Sequence, residues 1–482
     1  MIDLALTAFV FAVLAAGVRR PFLWVLAYVY IDILAPQKIS WMLLTHLPIS
    51  LIAFTLAFAG WAYLDGKTGS RLSFRQGLIA LLLVYCGLTT LSADLPEFAA
   101  EKWSWVWKAL VFAVFLPLTL RTRLRMEALT LVMVLSAATI IIPAGIKTLA
   151  SGGGYGSLHL LVNDNTGLYE GSILSTVAIA VIPLALWLAR EGTIFAPAAS
   201  SKQDWRVKAF AWALAFAAVL IPIGTEARTG LVCAAVLVML SLRDMKHRFL
   251  TMGLLGAASL LAVPFLPASF TERMETIGDH QADQSASTRL AVWEWTLEYV
   301  ETHPFGGGFE AYRQNRLAID VVETSKSGNT TAYETARLED KGRAYHSSYF
   351  EMLGEQGWPG LAIWLLLHVL GVWQMERLIR RYRPTSLSAP PEALAPHSLG
   401  WVAPFARALQ HSQIVYLVGS VFVGIAFQPF CYMVVALQCG LWTLVRRKEQ
   451  AMQVPRGVRQ RFRRHALPAS APAPKGVAEG VA

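Results

Sequence analysis

A chain of 482 residues in which 55% are hydrophobic and only 15% charged, with a mean hydropathy of +0.46, is too apolar for a water-soluble globular enzyme of that length. Its net charge of +10 sits in short clusters at the ends of apolar runs, where anionic lipid heads and membrane orientation account for it, so no nucleic-acid partner is indicated. The four cysteines, Cys86, Cys233, Cys431 and Cys439, all lie inside apolar runs without CxxC or Cys/His spacing, which indicates neither a zinc site nor a disulfide framework.

A spanning helix needs about 20 mainly apolar residues. Such runs occur near 2–18, 21–35, 44–64, 77–93, 105–120, 126–145, 171–189, 207–224, 229–242, 249–266, 358–373 and 412–445, the last long enough for two helices turning at Gln428-Pro429. The expected fold is therefore an all-α polytopic membrane protein of 12 or 13 spans, with one large, partly helical extracytoplasmic loop. The run from Ile2 to Val18 is followed by Arg19 and Arg20 and lacks a small-residue cleavage site, so it is expected to be a retained span.

Basic clusters at Arg19/Arg20, Lys67/Arg71/Arg75, Arg121/Arg123/Arg125, Arg190 to Lys208, Arg243/Lys246/Arg248, Arg377 to Arg383 and Arg446 to Lys448 fall in alternate loops, which are then cytoplasmic. The intervening loops, Ser92 to Glu101, Gly145 to Glu170, Gly224 to Arg228 and Pro267 to Ser347, face outward by parity. Three regions are expected: an N-terminal membrane region at 1–125, a membrane core at 126–445 carrying the loop 267–347, and a basic, Ala/Pro-rich cytoplasmic tail at 446–482 that is expected to be disordered against inner-leaflet lipid. The Pro/Ala/Ser-rich segment from Pro384 to Pro396 is read as a linker.

Three outward places hold polar residues where structure alone would be served by apolar or solvated ones. In Glu226-Ala-Arg-Thr-Gly230, Arg228 lies at the membrane interface, where a charge is costly unless partnered, although an arginine that snorkels to lipid phosphate is an equal reading. In Ser285-Ala-Ser-Thr-Arg-Leu-Ala-Val-Trp293, serines suited to capping precede apolar residues at helical spacing; Arg289 is then expected in the first turn, beside backbone N–H groups that favour anions, with a solvated arginine as the plainer alternative. Pro304-Phe-Gly-Gly-Gly-Phe309 ends that helix in a turn that permits close backbone approach. In the third place, from Tyr345 to Gly360, His346 stands where the polar loop re-enters the membrane; a neutral imidazole there can take a proton from a hydroxyl, against the commoner structural histidine.

Val162-Asn-Asp-Asn165, Ala227-Arg-Thr-Gly230, Arg289 with Trp293, Pro304-Phe-Gly-Gly-Gly308 and His346-Ser-x-Tyr-Phe-Glu-x-Leu-Gly-Glu-x-Gly357 together resemble the O-antigen ligase and polymerase superfamily of bacterial membrane glycosyltransferases, over roughly residues 160 to 375. Within it the chain is most similar to the O-glycosylation ligases that accompany exosortase systems, whose extra N-terminal domain is matched by Arg20-Pro21 and Pro36-Gln37 between short spans. The resemblance implies an inner-membrane transferase with a periplasmic site that moves a glycan from undecaprenyl diphosphate to a hydroxyl of a glycan, lipid or protein acceptor. It implies His346 as the catalytic residue and Arg228 and Arg289 as diphosphate ligands, with Arg343, Glu351 and Trp293 in support. No metal or other cofactor is expected, because two permanently charged guanidiniums can supply what a divalent cation otherwise would.

Some features depart from the pattern or remain open. Glu226 stands two residues before Arg228 and can pair with it; Arg313 and Arg337 are further loop cations; Glu351 and Glu355, four apart, either orient the histidine or are solvated or helix-supporting carboxylates. A polymerase or a protein O-oligosaccharyltransferase needs the same residues. A lipid-linked glycan flippase also needs many spans, but it predicts polar residues deep within them.

Overall fold

The computed structural model describes residues 2–40, 43–151, 168, 170–195, 204–243, 245, 247–262, 284–327, 330–383 and 399–453. The sequence elements Val162-Asn-Asp-Asn165, the linker from Pro384 to Pro396 and the tail beyond 453 lie outside the described residues.

The membrane part is all-α. In chain order the helices are α1 (Ile2–Gly17), α2 (Phe22–Leu34), α3 (Ile49–Ala59, continued by a π-helical turn Gly60–Leu64), α4 (Phe74–Leu91), α5 (Pro96–Thr119), α6 (Arg123–Ser151), α7 (Gly171–Glu191), α8 (Trp205–Gly224), α9 (Arg228–Leu242), α10 (Arg248–Ala262), α11 (Gln284–Thr302), α12 (Ser348–Arg381), α13 (Val402–Gly419) and α14 (Pro429–Gln453). Among the described residues, α4, α6, α7, α8, α12 and α14 are long and apolar enough to cross a membrane, and α1, α2, α3 with its π turn, and α9 are shorter apolar helices. The expected runs 105–120 and 249–266 correspond to α5 and, as far as Ala262, to α10. The run 412–445 divides into α13, which begins ten residues earlier than its apolar stretch, and α14, which opens on Pro429, where a missing N–H leaves no hydrogen bond unmade.

Helix α7 is buried nearly all round, and two of its neighbours approach it closely through glycines. Gly230 of α9 lies against Ser175 and Gly419 of α13 against Thr176, so close that a Cβ at either glycine would fall within 2.8 Å of these side chains.

Basic clusters assigned to one side come together at one end of the bundle. Asp65 accepts from Arg121 at 2.7 Å and Arg125 at 2.6 Å, Arg123 pairs with Glu127 at 2.7 Å, and Glu127 in turn accepts from Thr193. Arg243 and Arg380 share Glu376 at 2.6 and 2.7 Å. Contrary to the expected boundary at 446, α14 continues to Gln453, since Arg447 donates to the Gly69 and Arg121 carbonyls and Glu449 pairs with Arg381 at 3.1 Å. These partners give the helix a reason to continue that basic composition alone did not reveal.

The loop at the other end, expected to be partly helical, carries a strand pair beside its helix. After α11 it forms an antiparallel hairpin, β1 (Arg316–Ser327) with β2 (Thr330–Lys341), in register from Arg316↔Lys341 to Ser327↔Thr330. Ile319, Val321, Val322, Thr324, Thr331, Tyr333 and Thr335 supply its β-branched and aromatic character.

Orientation is open to a direct test. With the basic end in the cytoplasm, Thr302→Cys reacts with an impermeant maleimide in intact cells and Lys67→Cys reacts only after permeabilisation, against a low background because the native cysteines are buried; the reverse pattern overturns the assignment.

Candidate active site

His346 lies between β2 and α12, and its backbone is held at φ 49, in a left-handed region that few residues other than glycine adopt. Such a conformation costs about 1 kcal/mol or more and persists where the surroundings determine it. Here they do. The Asn315 side chain grips Arg343 from both sides, donating to its carbonyl at 2.7 Å and accepting from its N–H at 2.9 Å. Trp293 donates its indole N–H to the Tyr345 carbonyl at 2.9 Å and stacks on Phe350 with ring centroids 4.8 Å apart, so one side chain holds both flanks of the histidine. On the far side, Ser348 donates its N–H to the Ser420 carbonyl at 2.8 Å, and its hydroxyl donates to Val423 O and accepts from Ile425 N–H, each at 2.9 Å. The side chain between these anchors opens outward.

The imidazole pKa is lowered from its ordinary value of 6.5, first by the loss of hydration among neighbouring groups and then by the positive charge of Arg289; Arg343 acts in the same direction and Glu170 opposes them. The structure therefore brings Arg289 and Arg343 within electrostatic reach of His346 and adds Glu170, a residue the sequence reading did not single out. Glu170 also caps α7, accepting from Ile173 N–H at 2.7 Å.

The two diphosphate candidates differ from expectation in their relation to helix ends. Arg289 is the sixth residue of α11, past the first turn, so the free amide groups at that helix start are not beside it. Arg228, in contrast, is the first residue of α9, at the end of the helix where the dipole is positive and favours an anion. The preceding Glu226 has φ 53, a second left-handed residue at a motif position. Gly230, two residues on, packs on Ser175 of α7, so Arg228 sits beside the same end of α7 whose Glu170 acts on His346.

Of the readings open for Glu351, the structure shows the helix-supporting one. Its two oxygens accept from the Lys102 ammonium at 2.7 Å and from Ala426 N–H at 3.1 Å, bracing α12 rather than the imidazole. Lys102, on α5, also contacts Glu355 at 2.8 Å and Glu310 at 3.8 Å, and Glu355 accepts from Glu310 N–H at 3.0 Å. Sequence reading missed this lysine because it adjoins an acidic loop. Its signal was a cation set among Trp103, Trp105 and Trp107 where the helix enters the apolar layer.

The glycine segment ties these parts together. Gly307 and Gly308 donate N–H bonds to the Gly354 and Glu355 carbonyls, each at 3.0 Å, and Trp358 N–H donates to Pro304 O at 3.0 Å. Gly306 has φ 85, and a Cβ there would stand 2.4 Å from the Glu355 carbonyl, while Gly357 kinks α12 at φ 63, ψ −171.

Two families match the chain. One, described as O-antigen ligase, matches residues 212–365 and so contains Arg228, Arg289, Arg343, His346 and Glu351; the other, a family of unknown function (DUF5935), matches residues 1–193. No curated protein matches. Fold and match together describe a multi-pass membrane protein with an O-antigen ligase region, and they support its place in the superfamily that its motifs resemble. A membrane glycan ligase or polymerase type of function follows from that placement.

Trp293 provides a graded test of how the histidine is held. Trp293→Phe keeps the stack on Phe350 but loses the bond to Tyr345 O, and is expected to lower stability by about 1 kcal/mol; Trp293→Ala loses both and is expected to cost about 3 kcal/mol or more. Thermal unfolding in detergent, read beside glycan transfer, checks the order.

Proposed function

We propose that this protein is a glycan ligase of the bacterial inner membrane that transfers a glycan from undecaprenyl diphosphate to an acceptor hydroxyl on the periplasmic side. The observation that carries the reading is the meeting of a strained, outward-opening imidazole with Arg289 and Arg343, on the same end of the bundle as Arg228.

His346 takes the proton of the acceptor hydroxyl, whose oxygen forms a bond to the anomeric carbon as the bond from that carbon to the diphosphate oxygen breaks. The proton ends on His346, and the pair of electrons leaves with undecaprenyl diphosphate. Arg289 and Arg228 bind the departing group as its charge grows, and a guanidinium matches phosphate oxygens through paired N–H bonds. Arg343 adds positive charge at the rim. A single displacement of this kind inverts the anomeric centre. The two arginines bring the charge the leaving group needs, so transfer is expected to proceed in EDTA. The resemblance of the Arg20-Pro21 and Pro36-Gln37 elements to the extra N-terminal domain of the ligases that accompany exosortase systems supports a place in that branch.

His346→Ala is expected to lower kcat about a hundredfold or more, and Arg289→Ala and Arg228→Ala to lower it by about the same order, at unchanged protein level in the membrane. Full transfer by all three variants, or its abolition by EDTA, would overturn the mechanism. The pH dependence has a defined sign. The base works when neutral, and its lowered pKa keeps it neutral below the ordinary histidine value of 6.5, so the rate falls only on the acid side of that value. Arg343→Gln removes one of the charges that lower it, which is expected to move the acid limb of kcat/KM to higher pH; an unmoved or lowered limb would count against His346 as the base.

A further inference from the structure

We infer that the hairpin of α4 and α5, which lies in the stretch matched to a family of unknown function, is a working part of the transferase site, with Lys102 as the positioning residue that holds the His346 segment. The inference rests on the reading of His346 as the base.

The segment 304–314 and the first turns of α12 rest on this hairpin at every level. At its exposed turn, Asp94 N–H donates to Gly307 O at 2.9 Å, and the Asp94 carboxylate accepts from Tyr299 OH and from the Gln314 amide, the latter at 2.9 Å. Ala93 lies so close to Gly308 that a Cβ on that glycine would be 2.3 Å away. Lower down, Tyr85 OH donates to Phe305 O at 3.0 Å, Thr89 OH donates to the Gln356 amide oxygen at 2.6 Å, and Trp103 stacks on Phe309. These contacts come from residues 85–103, outside the stretch matched to the O-antigen ligase family.

Lys102 is the centre of the arrangement. Its ammonium is surrounded by the carboxylates of Glu310, Glu351 and Glu355, and Glu355 is fully buried. Glu351 and Glu355 stand one turn apart on one helix, where like charges repel. A buried carboxylate left without its cation is strongly unfavourable. The lysine therefore closes the first two turns of α12 against the glycine segment and, through Glu351 and Ala426, against the loop that also binds Ser348. His346 immediately precedes those turns. Its position thus depends on a cation delivered from the other matched region, although Lys102 touches no reacting atom.

The test uses the full chain in proteoliposomes, with undecaprenyl-diphosphate-linked glycan extracted from the organism's own membranes as donor and release of undecaprenyl diphosphate as readout. Lys102→Met is expected to lower kcat about tenfold or more while the KM for the donor stays within about twofold, the signature of a misplaced catalytic group. Lys102→Met with Glu355→Gln removes the cation together with the buried carboxyl that faces it, and is expected to recover at least about threefold of the lost rate. Asp94→Asn, at the exposed turn, is expected to lower kcat about threefold with an unchanged melting temperature. Should Lys102→Met fail to fold, the double variant and Asp94→Asn carry the decision: wild-type kcat in both, or a raised KM with unchanged kcat, overturns the inference. His346→Ala is the separate control, since full activity there removes the reading of the base, whereas an inactive His346→Ala beside a fully active Lys102→Met removes only the role of the hairpin.

Discussion

A hydrocarbon layer offers no hydrogen-bond partners, so every polar group of this chain has to reach an end of the bundle or find a partner within it. That requirement sorts the molecule. Carboxylates and guanidiniums pair at the basic end, a second set of charges gathers around Lys102 and His346 at the opposite end, and what lies between is largely apolar. Some of the polar groups that lie inside link neighbouring helices. Arg75 donates to Leu367 O at 3.1 Å, and Gln413 bonds both His368 and Gln438, which joins α4, α12, α13 and α14 across the interior. Those bonds fix the relative heights of the same helices whose outer ends carry the site.

The site is precise because backbone, more than side chain, carries the strain. His346 and Glu226 are both left-handed, and the glycine turns at Gly306 and Gly357 meet backbone to backbone. A flexible loop would let the imidazole average over many positions; here Asn315, Trp293 and Ser348 each fix a different peptide around it. Preorganisation of this kind is what an enzyme needs when binding and proton transfer must be arranged over a large, mobile lipid-linked donor.

Much of this was legible in the sequence. The apolar runs gave the helices, because burial in lipid demands length and apolarity that few other structures share. Arginine and histidine at the seams gave the site, because charge at an interface is costly enough to need a reason. The hairpin β1–β2 was not legible, since its β-branched residues stand in a polar loop between helices and read as part of it. Lys102 escaped for another reason. Its partners lie more than two hundred residues away, at Glu310, Glu351 and Glu355, and a single cation at a helix end reads as solvated until those carboxylates are seen around it. The start of α11 was placed one turn late because the serines looked like caps; the helix begins at Gln284, and the anion-favouring position passed from Arg289 to Arg228.

The kink at Gly357 divides α12 into a short outer piece and a long spanning piece. The break falls where Gly357 meets Gly306 backbone to backbone and Trp358 N–H donates to Pro304 O. The outer piece therefore takes its heading from the glycine segment rather than from the rod below it, and the segment that carries the imidazole is aimed by its neighbours at the outer edge instead of inheriting the tilt of the membrane span.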